Sequence, residues 1–145
     1  MRVETSVYFA VYSDVLGPEE MKSRIGVPPA PGMRKAPRPT DPPVPVASAW
    51  KVASSLNPSA PLRQHLEDLR DAVAPVSHKI AEVCRREATA CLHIVREFYP
   101  DTAEAELGFW LDDQWLAIIS QTGARLDVDE YDYARTRLDR VHADP

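Results

Sequence analysis

Glycine is scarce. The 145-residue chain has five, at positions 17, 26, 32, 108 and 123. They are too scattered to form a loop that cradles phosphate with successive backbone N–H groups. No G-x-S-x-G elbow is present, and serines beside histidines, such as Ser77 and His78, show no triad logic. Cysteine is limited to Cys84 and Cys91. Beside Cys91 and His93, two apart, the other donors on offer (Cys84, His65, His78 and Glu97) stand at no recognised metal-ligand spacing. Long apolar runs are also missing: nothing approaches the ~20 residues needed to span a bilayer. The N-terminus MRVETSVYFAVYS is polar by its fourth residue, so no signal peptide is read there. A cytoplasmic protein with reduced cysteines is expected. Lysine is rare, four against 13 arginines, which together with abundant alanine suggests a GC-rich bacterial genome. A net charge of −5 disfavours nucleic acid as a partner.

What is present is ordinary in amount and uneven in place. Apolar residues make up 44% and charged residues 27%, as in a globular domain. A chain of this length suits one domain that buries roughly two-thirds of its unfolded surface. We read residues 1–133 as that domain and 134–145 as a charged tail. Residues 101–133 carry nine acids (Asp101, Glu104, Glu106, Asp112, Asp113, Asp127, Asp129, Glu130, Asp132) against one base, Arg125. Residues 27–46 hold eight of the 14 prolines, with Arg34, Lys35 and Arg38. Proline neither donates to a sheet nor continues a helix, so this stretch reads as an extended basic loop. Such a loop is either a preformed arm for an acidic partner or a long surface connection.

The remaining segments alternate or recur at helical spacing. Val3–Ser13 is a strand with Val3, Thr5, Val7, Phe9 and Val11 on one face and Tyr8, Ala10 and Tyr12 on the other. Pro18 suits the first turn of a short helix that faces Met21 and Ile25 inward and ends at Gly26. Ala49–Ser54 is a short strand. Ser59 is expected to cap a helix striped by Leu62, Leu66, Leu69 and Val73. Pro75 interrupts that helix, and Val76, Ile80 and Val83 carry the stripe on. Ala88–Tyr99 is a strand with Ala90, Leu92, Ile94 and Phe98 on one face. Cys91, His93, Val95, Glu97 and Tyr99 lie on the other.

Ala105–Tyr133 reads as strand, helix, strand. Leu107, Phe109 and Leu111 share a face of the first strand. Asp112 caps the helix, Trp115, Ile118, Ile119 and Thr122 stripe it, and Gly123 ends it in the left-handed conformation. Leu126 and Val128 restart the alternation. The short link at Pro100-Asp101 predicts an antiparallel hairpin of Ala88–Tyr99 with Ala105–Leu111. The fold expected is α+β: a mainly antiparallel sheet of about five strands with helices packed on one face, a two-layer sandwich.

Three further features bear on family. These are a strand ending in Ser13-Asp14 followed by VLGPEEMKSRIGVPP, the isolated Trp50, and a close in LGFWLDDQWLAIISQTGARLDVDEYDY. The combination resembles a bacterial family, domain of unknown function 4279, over roughly residues 5–133. The resemblance implies a fold and no catalytic residues.

Helices on one side leave Tyr8, Tyr12, His93, Val95, Tyr99, Trp110 and Tyr131 on the other. So many aromatic residues facing solvent mark an interface. The alternatives are cover by the proline-rich loop or a small-ligand groove. Cys91 and His93 share a strand face but lack two further zinc donors in sequence. Asp127, Asp129 and Tyr131 share another, which would suit Mg²⁺ or a solvated edge. The reading therefore assigns no catalytic residue, no metal and no cofactor. It favours a non-catalytic domain that binds a protein partner, most simply itself, through Tyr8, Tyr12, Tyr99, Trp110 and Tyr131. In an immunity- or antitoxin-like version, the acidic segment meets a basic toxin. The alternative is a metal-dependent hydrolase, or another enzyme of unknown type, using Asp127, Asp129 and His93.

Overall fold

The computed structural model describes residues 2–26, 47–100 and 108–133. The basic loop with Arg34, Lys35 and Arg38, and the 134–145 tail, lie outside those residues. Strand β1 (Arg2–Ser13) leads into helix α1 (Pro18–Ile25). Then come strand β2 (Ser48–Ala53), helix α2 (Leu62–Val73), a 3-10 turn at Ala74–Val76 and helix α3 (Ser77–Cys84). Strand β3 (Thr89–Tyr99), helix α4 (Asp113–Thr122) and strand β4 (Arg125–Asp132) complete the described chain. No described helix is long and apolar enough to cross a membrane.

The fold is α+β, but the sheet has four strands in the order β2-β1-β3-β4 and is mixed. β1 runs antiparallel to both β2 and β3, while β4 runs parallel to β3. The expected fifth strand and its hairpin are not formed by the described residues. Gly108–Leu111 is irregular, and 105–107 lie outside the described residues. Two physical reasons oppose the hairpin. Gly108 takes φ 80°, which breaks a pleated path. Both edges of β3 are also already occupied, by β1 on one side and β4 on the other. A parallel partner needs a crossover, and α4 provides it.

Local chemistry explains most boundaries. Asp112 caps α4 by accepting from the Trp115 backbone N–H at 2.8 Å, and Gly123 closes that helix at φ 68°. Ser59 does not cap α2. Its N–H and hydroxyl both donate to the Asn57 side-chain oxygen, at 3.0 and 2.9 Å, in a local turn, and Pro61 takes the cap position. Pro75 falls in the 3-10 turn that separates α2 from α3, since its ring cannot fit a helix interior.

The core lies on one side of the sheet. Val7, Phe9 and Val11 of β1 and Leu92 and Ile94 of β3 meet Met21, Ile25, Leu69, Ile80 and Trp115 from all four helices. Burial of each such side chain contributes about 1.5–3 kcal/mol. The two buried indoles also have polar partners: Trp50 Nε1 donates to the Gly26 carbonyl and Trp115 Nε1 to that of Leu66, each at 2.9 Å. β4 is covered least, and every one of its residues is exposed, including Leu126 and Val128 on the helix side.

Candidate functional site

The reverse side of the sheet carries the chemistry. β-strand alternation puts Tyr8 and Tyr12 of β1, Lys51 of β2, Cys91, His93, Val95, Glu97 and Tyr99 of β3, and Asp127, Asp129 and Tyr131 of β4 on that side. Register then decides which of them meet. Tyr8 stands opposite His93, and His93 opposite Asp127. The Tyr8 and His93 rings stack with centroids 4.4 Å apart, and Lys51 Nζ sits 3.8 Å from the centre of the Tyr8 ring.

His93 is the hub. Tyr12 Oη lies 3.0 Å from Nε2, and Asp127 Oδ2 lies 3.4 Å from Nδ1. With a neutral ring the consistent assignment is Tyr12 donating to Nε2 and Nδ1–H directed at the carboxylate. Cys91, one register step along the same face, belongs to the same group: its sulfur, a His93 ring nitrogen and an Asp127 oxygen all lie within 4.8 Å of one another.

The electrostatics keep the Tyr8, Tyr12, Cys91 and His93 side chains uncharged at neutral pH. Burial pushes the Tyr12 phenol up to about 12, with Tyr8, Cys91 and Asp127 adding to it. Burial also raises Tyr8, aided by Cys91 and the Asp127 and Asp129 charges. The Cys91 thiol is raised by burial and by Asp127, against Arg125 and the Asp127 backbone N–H. Burial lowers His93, and Asp127 only partly opposes this. A phenol held this high is a hydrogen-bond donor rather than a phenolate nucleophile.

A second aromatic group sits at the far end of the same face. Tyr99 stacks on Tyr133 at 5.1 Å, and Tyr133 on Tyr131 at 6.4 Å. The Arg2 guanidinium lies 4.3 Å from the Tyr99 ring centre. Tyr131 and Tyr133 remain 48% and 42% exposed.

Trp110 is not part of this surface, a correction to the sequence reading. It is 67% exposed and borders a separate cleft of about 530 Å³ on the helix side, with Phe109, Leu62, Leu66 and Trp115. The error follows from reading 105–111 as a strand: the described part, Gly108–Leu111, is irregular, so no alternation there directs Trp110 to the tyrosine side. The same cleft holds Arg96, which sequence reasoning left unassigned. Arg96 shares the Leu92/Ile94 face of β3, is 4% exposed, and is held by Glu130 through two donors, Nε at 3.0 Å.

Sequence reasoning also missed Lys51 and Tyr133 as members of the face that the described helices leave uncovered. For Lys51 the alternation of β2 was signal enough. The meeting of Cys91 with Asp127 has no local pattern behind it, because β3–β4 register pairs residues 34 positions apart, as His93 with Asp127. Asp127 and Asp129, weighed in the sequence as Mg²⁺ ligands or a solvated edge, part company: Asp127 joins Cys91 and His93 in a three-residue group and Asp129 does not.

The family model described as Domain of unknown function (DUF4279) matches residues 3–133, nearly the whole chain, and the chain belongs to that family. No curated protein and no solved structure matches.

Proposed function

We propose that this member of the DUF4279 family is a non-catalytic binding module whose contact surface is the sheet face that the described helices leave uncovered, and that the face pairs with a second copy of the chain. The observation that carries the reading is how charge is spread across that face. The strand order puts Lys51 on the β2 flank and Asp127 and Asp129 on the β4 flank, with Tyr8, Tyr12 and Tyr99 between them. A two-fold axis parallel to the strands lays β2 of one copy over β4 of the other. Lysine then meets carboxylate twice, with tyrosine on tyrosine in the middle. Two-fold interfaces demand this kind of self-complementarity.

Size sets the strength. Strands of 12, 6, 11 and 8 residues, at ~3.3 Å per residue and ~4.8 Å spacing, offer on the order of 600 Å² of face. That is below the ~800 Å² per partner of a standard interface, so the dimer is weak and concentration-dependent. Edge-to-edge pairing through β4 is disfavoured, because Asp127, Asp129, Glu130 and Asp132 repel a second copy of themselves.

Sedimentation in the presence of EDTA, over protein concentrations from about 1 µM to 1 mM, is the test. The expected result is a mass that rises towards that of a dimer, a rise weakened by Tyr8→Ala and removed by Lys51→Glu. Mixing Lys51→Glu with Asp129→Lys restores association. A monomer at every concentration ends the proposal.

A further inference from the structure

We infer that Cys91, His93 and Asp127 form a site for a borderline-soft divalent cation of the zinc class. The inference is independent of self-association. Three donors of different chemistry converge from two neighbouring strands, with their ligand atoms within 4.8 Å of one another. Tetrahedral zinc at about 2.3 Å from sulfur and about 2.0–2.1 Å from nitrogen or oxygen places its N and O ligands ~3.3–3.4 Å apart. The His93 Nδ1 to Asp127 Oδ2 separation is 3.4 Å. The donors therefore already stand near one edge of the coordination tetrahedron, on the backbone least able to shift, paired strands in a sheet.

The surroundings fit the same assignment. Metal-bound imidazole is ordinarily fixed by a partner on its other nitrogen. His93 has one, with Tyr12 Oη 3.0 Å from Nε2. When Nδ1 takes the ion, the ring proton sits on Nε2 and donates to the Tyr12 oxygen. The imidazole stays neutral, and the Cys91 thiol releases its proton to solvent. Asp127 is half-exposed at the rim, with its side chain 55% accessible, so an ion can enter and the fourth position is left for water. The donor set selects the class of metal. One thiolate and one imidazole favour zinc, cobalt or nickel over Mg²⁺ and Ca²⁺, which prefer all-oxygen cages.

The test is a titration of the reduced, EDTA-treated full chain with Co²⁺, read by optical absorption. One equivalent is expected to bring up a thiolate-to-cobalt charge-transfer band together with tetrahedral d–d bands, and Zn²⁺ is expected to displace it. Cys91→Ser removes the charge-transfer band while Cys84→Ser keeps it. Asp127→Asn, a change at a half-exposed side chain that leaves folding intact, weakens binding by about tenfold or more, as does Tyr12→Phe. A chain that develops no such band, a band that persists in Cys91→Ser, or unchanged cobalt affinity in Asp127→Asn overturns the inference. A monomeric chain that binds cobalt in this way leaves the site standing and the association reading refuted, and a dimer without the band does the reverse.

Discussion

Alternate residues of the same two strands build two unlike surfaces. On one side of β1 and β3, Val7, Phe9, Val11, Leu92 and Ile94 are sealed under helices. On the other, their immediate neighbours Tyr8, Tyr12 and His93 meet ring to ring or through a hydrogen bond, and the Cys91 sulfur stands within 4.8 Å of a His93 ring nitrogen. The covered side gains from the removal of apolar area from water, which is large and indifferent to small changes of angle. The open side gains from a few directed contacts, each small and sensitive to geometry. Substitution should therefore be felt differently on the two sides: in stability on the covered one, and in the proposed recognition on the other.

Trp115→Ala is the change that tests this division hardest. The indole is buried, stacks near Phe9 with centroids 6.2 Å apart, and bonds the Leu66 carbonyl. Its loss leaves a cavity and an orphaned acceptor, and an aromatic-to-alanine change of this kind costs about 3–5 kcal/mol. A chemical-denaturation midpoint measures it. Tyr12→Phe on the open face, by contrast, removes one hydroxyl from a half-buried site and should cost about 0.5–1.5 kcal/mol. Equal losses for the two would abolish the distinction.

The pair of Arg96 and Glu130 sharpens the comparison, because it sets a charge on the covered side. Breaking a fully buried ion pair costs about 3–5 kcal/mol. The Arg96 side chain is 5% accessible and that of Glu130 44%, so only one partner is desolvated. Glu130→Gln keeps a hydrogen-bond acceptor and should lose about 1–2 kcal/mol, less than the buried limit because water screens the exposed end. Arg96→Ala, which also leaves a void beneath Phe98 and Phe109, should lose more. Thermal unfolding of both variants decides the order. A larger loss for Glu130→Gln would mean that the carboxylate, not the buried guanidinium, holds this end of β4.

How much of this could be read from the chain follows from the range of the interactions. β1, β3 and α4 were legible because each is specified locally: period-two alternation for the strands, Asp112, Trp115 and Gly123 for the helix. The two-faced sheet was legible for the same reason. Strand number was not. The segment before Asp112 alternates in sequence as convincingly as a strand, and what opposes it as a hairpin partner is the positive φ of Gly108 and the occupancy of both edges of β3. The parallel placement of β4 was equally hidden, and with it the meeting of Asp127 with His93 and Cys91. Register between distant strands fixes that meeting, and no spacing within either strand announces it. Trp110 went to the wrong side because its placement rested on an alternation that Gly108–Leu111 does not keep.

His65 gives the finest test of the covered side, through pH alone. It sits on α2, almost fully buried, with Nδ1 2.8 Å from the Ser54 hydroxyl, which itself donates to Asp68 at 3.1 Å. The hydroxyl has one proton and gives it to the carboxylate, so Nδ1 must be the protonated nitrogen that donates to Ser54. Nε2 is then an unprotonated buried atom with no hydrogen-bond partner. Serine stands between histidine and aspartate, so the trio ties α2 to the end of β2 and does not activate a nucleophile. Burial lowers the His65 pKa from its ordinary 6.5, and the nearby backbone of Asn57, the Asp68 charge and the backbone of Ala60 only partly oppose this. Below 6.5 the unfolded chain therefore takes up a proton that the folded chain refuses. Stability should be flat in this contribution above 6.5, fall as pH drops below it, and level off once the folded histidine is also protonated. Asp68 acts in a separate window. The Ser55 backbone N–H is the largest of the contacts that hold it below its ordinary 3.8, so its contribution is lost only in stronger acid. Denaturation midpoints followed downward from pH 7 in wild type and His65→Gln separate the two. The variant, whose amide can still donate to Ser54, should lose the His65 share of the slope that starts near 6.5, retain the share of the likewise lowered His93, and keep the acid limb. A slope as steep in His65→Gln as in wild type would place the acid sensitivity elsewhere.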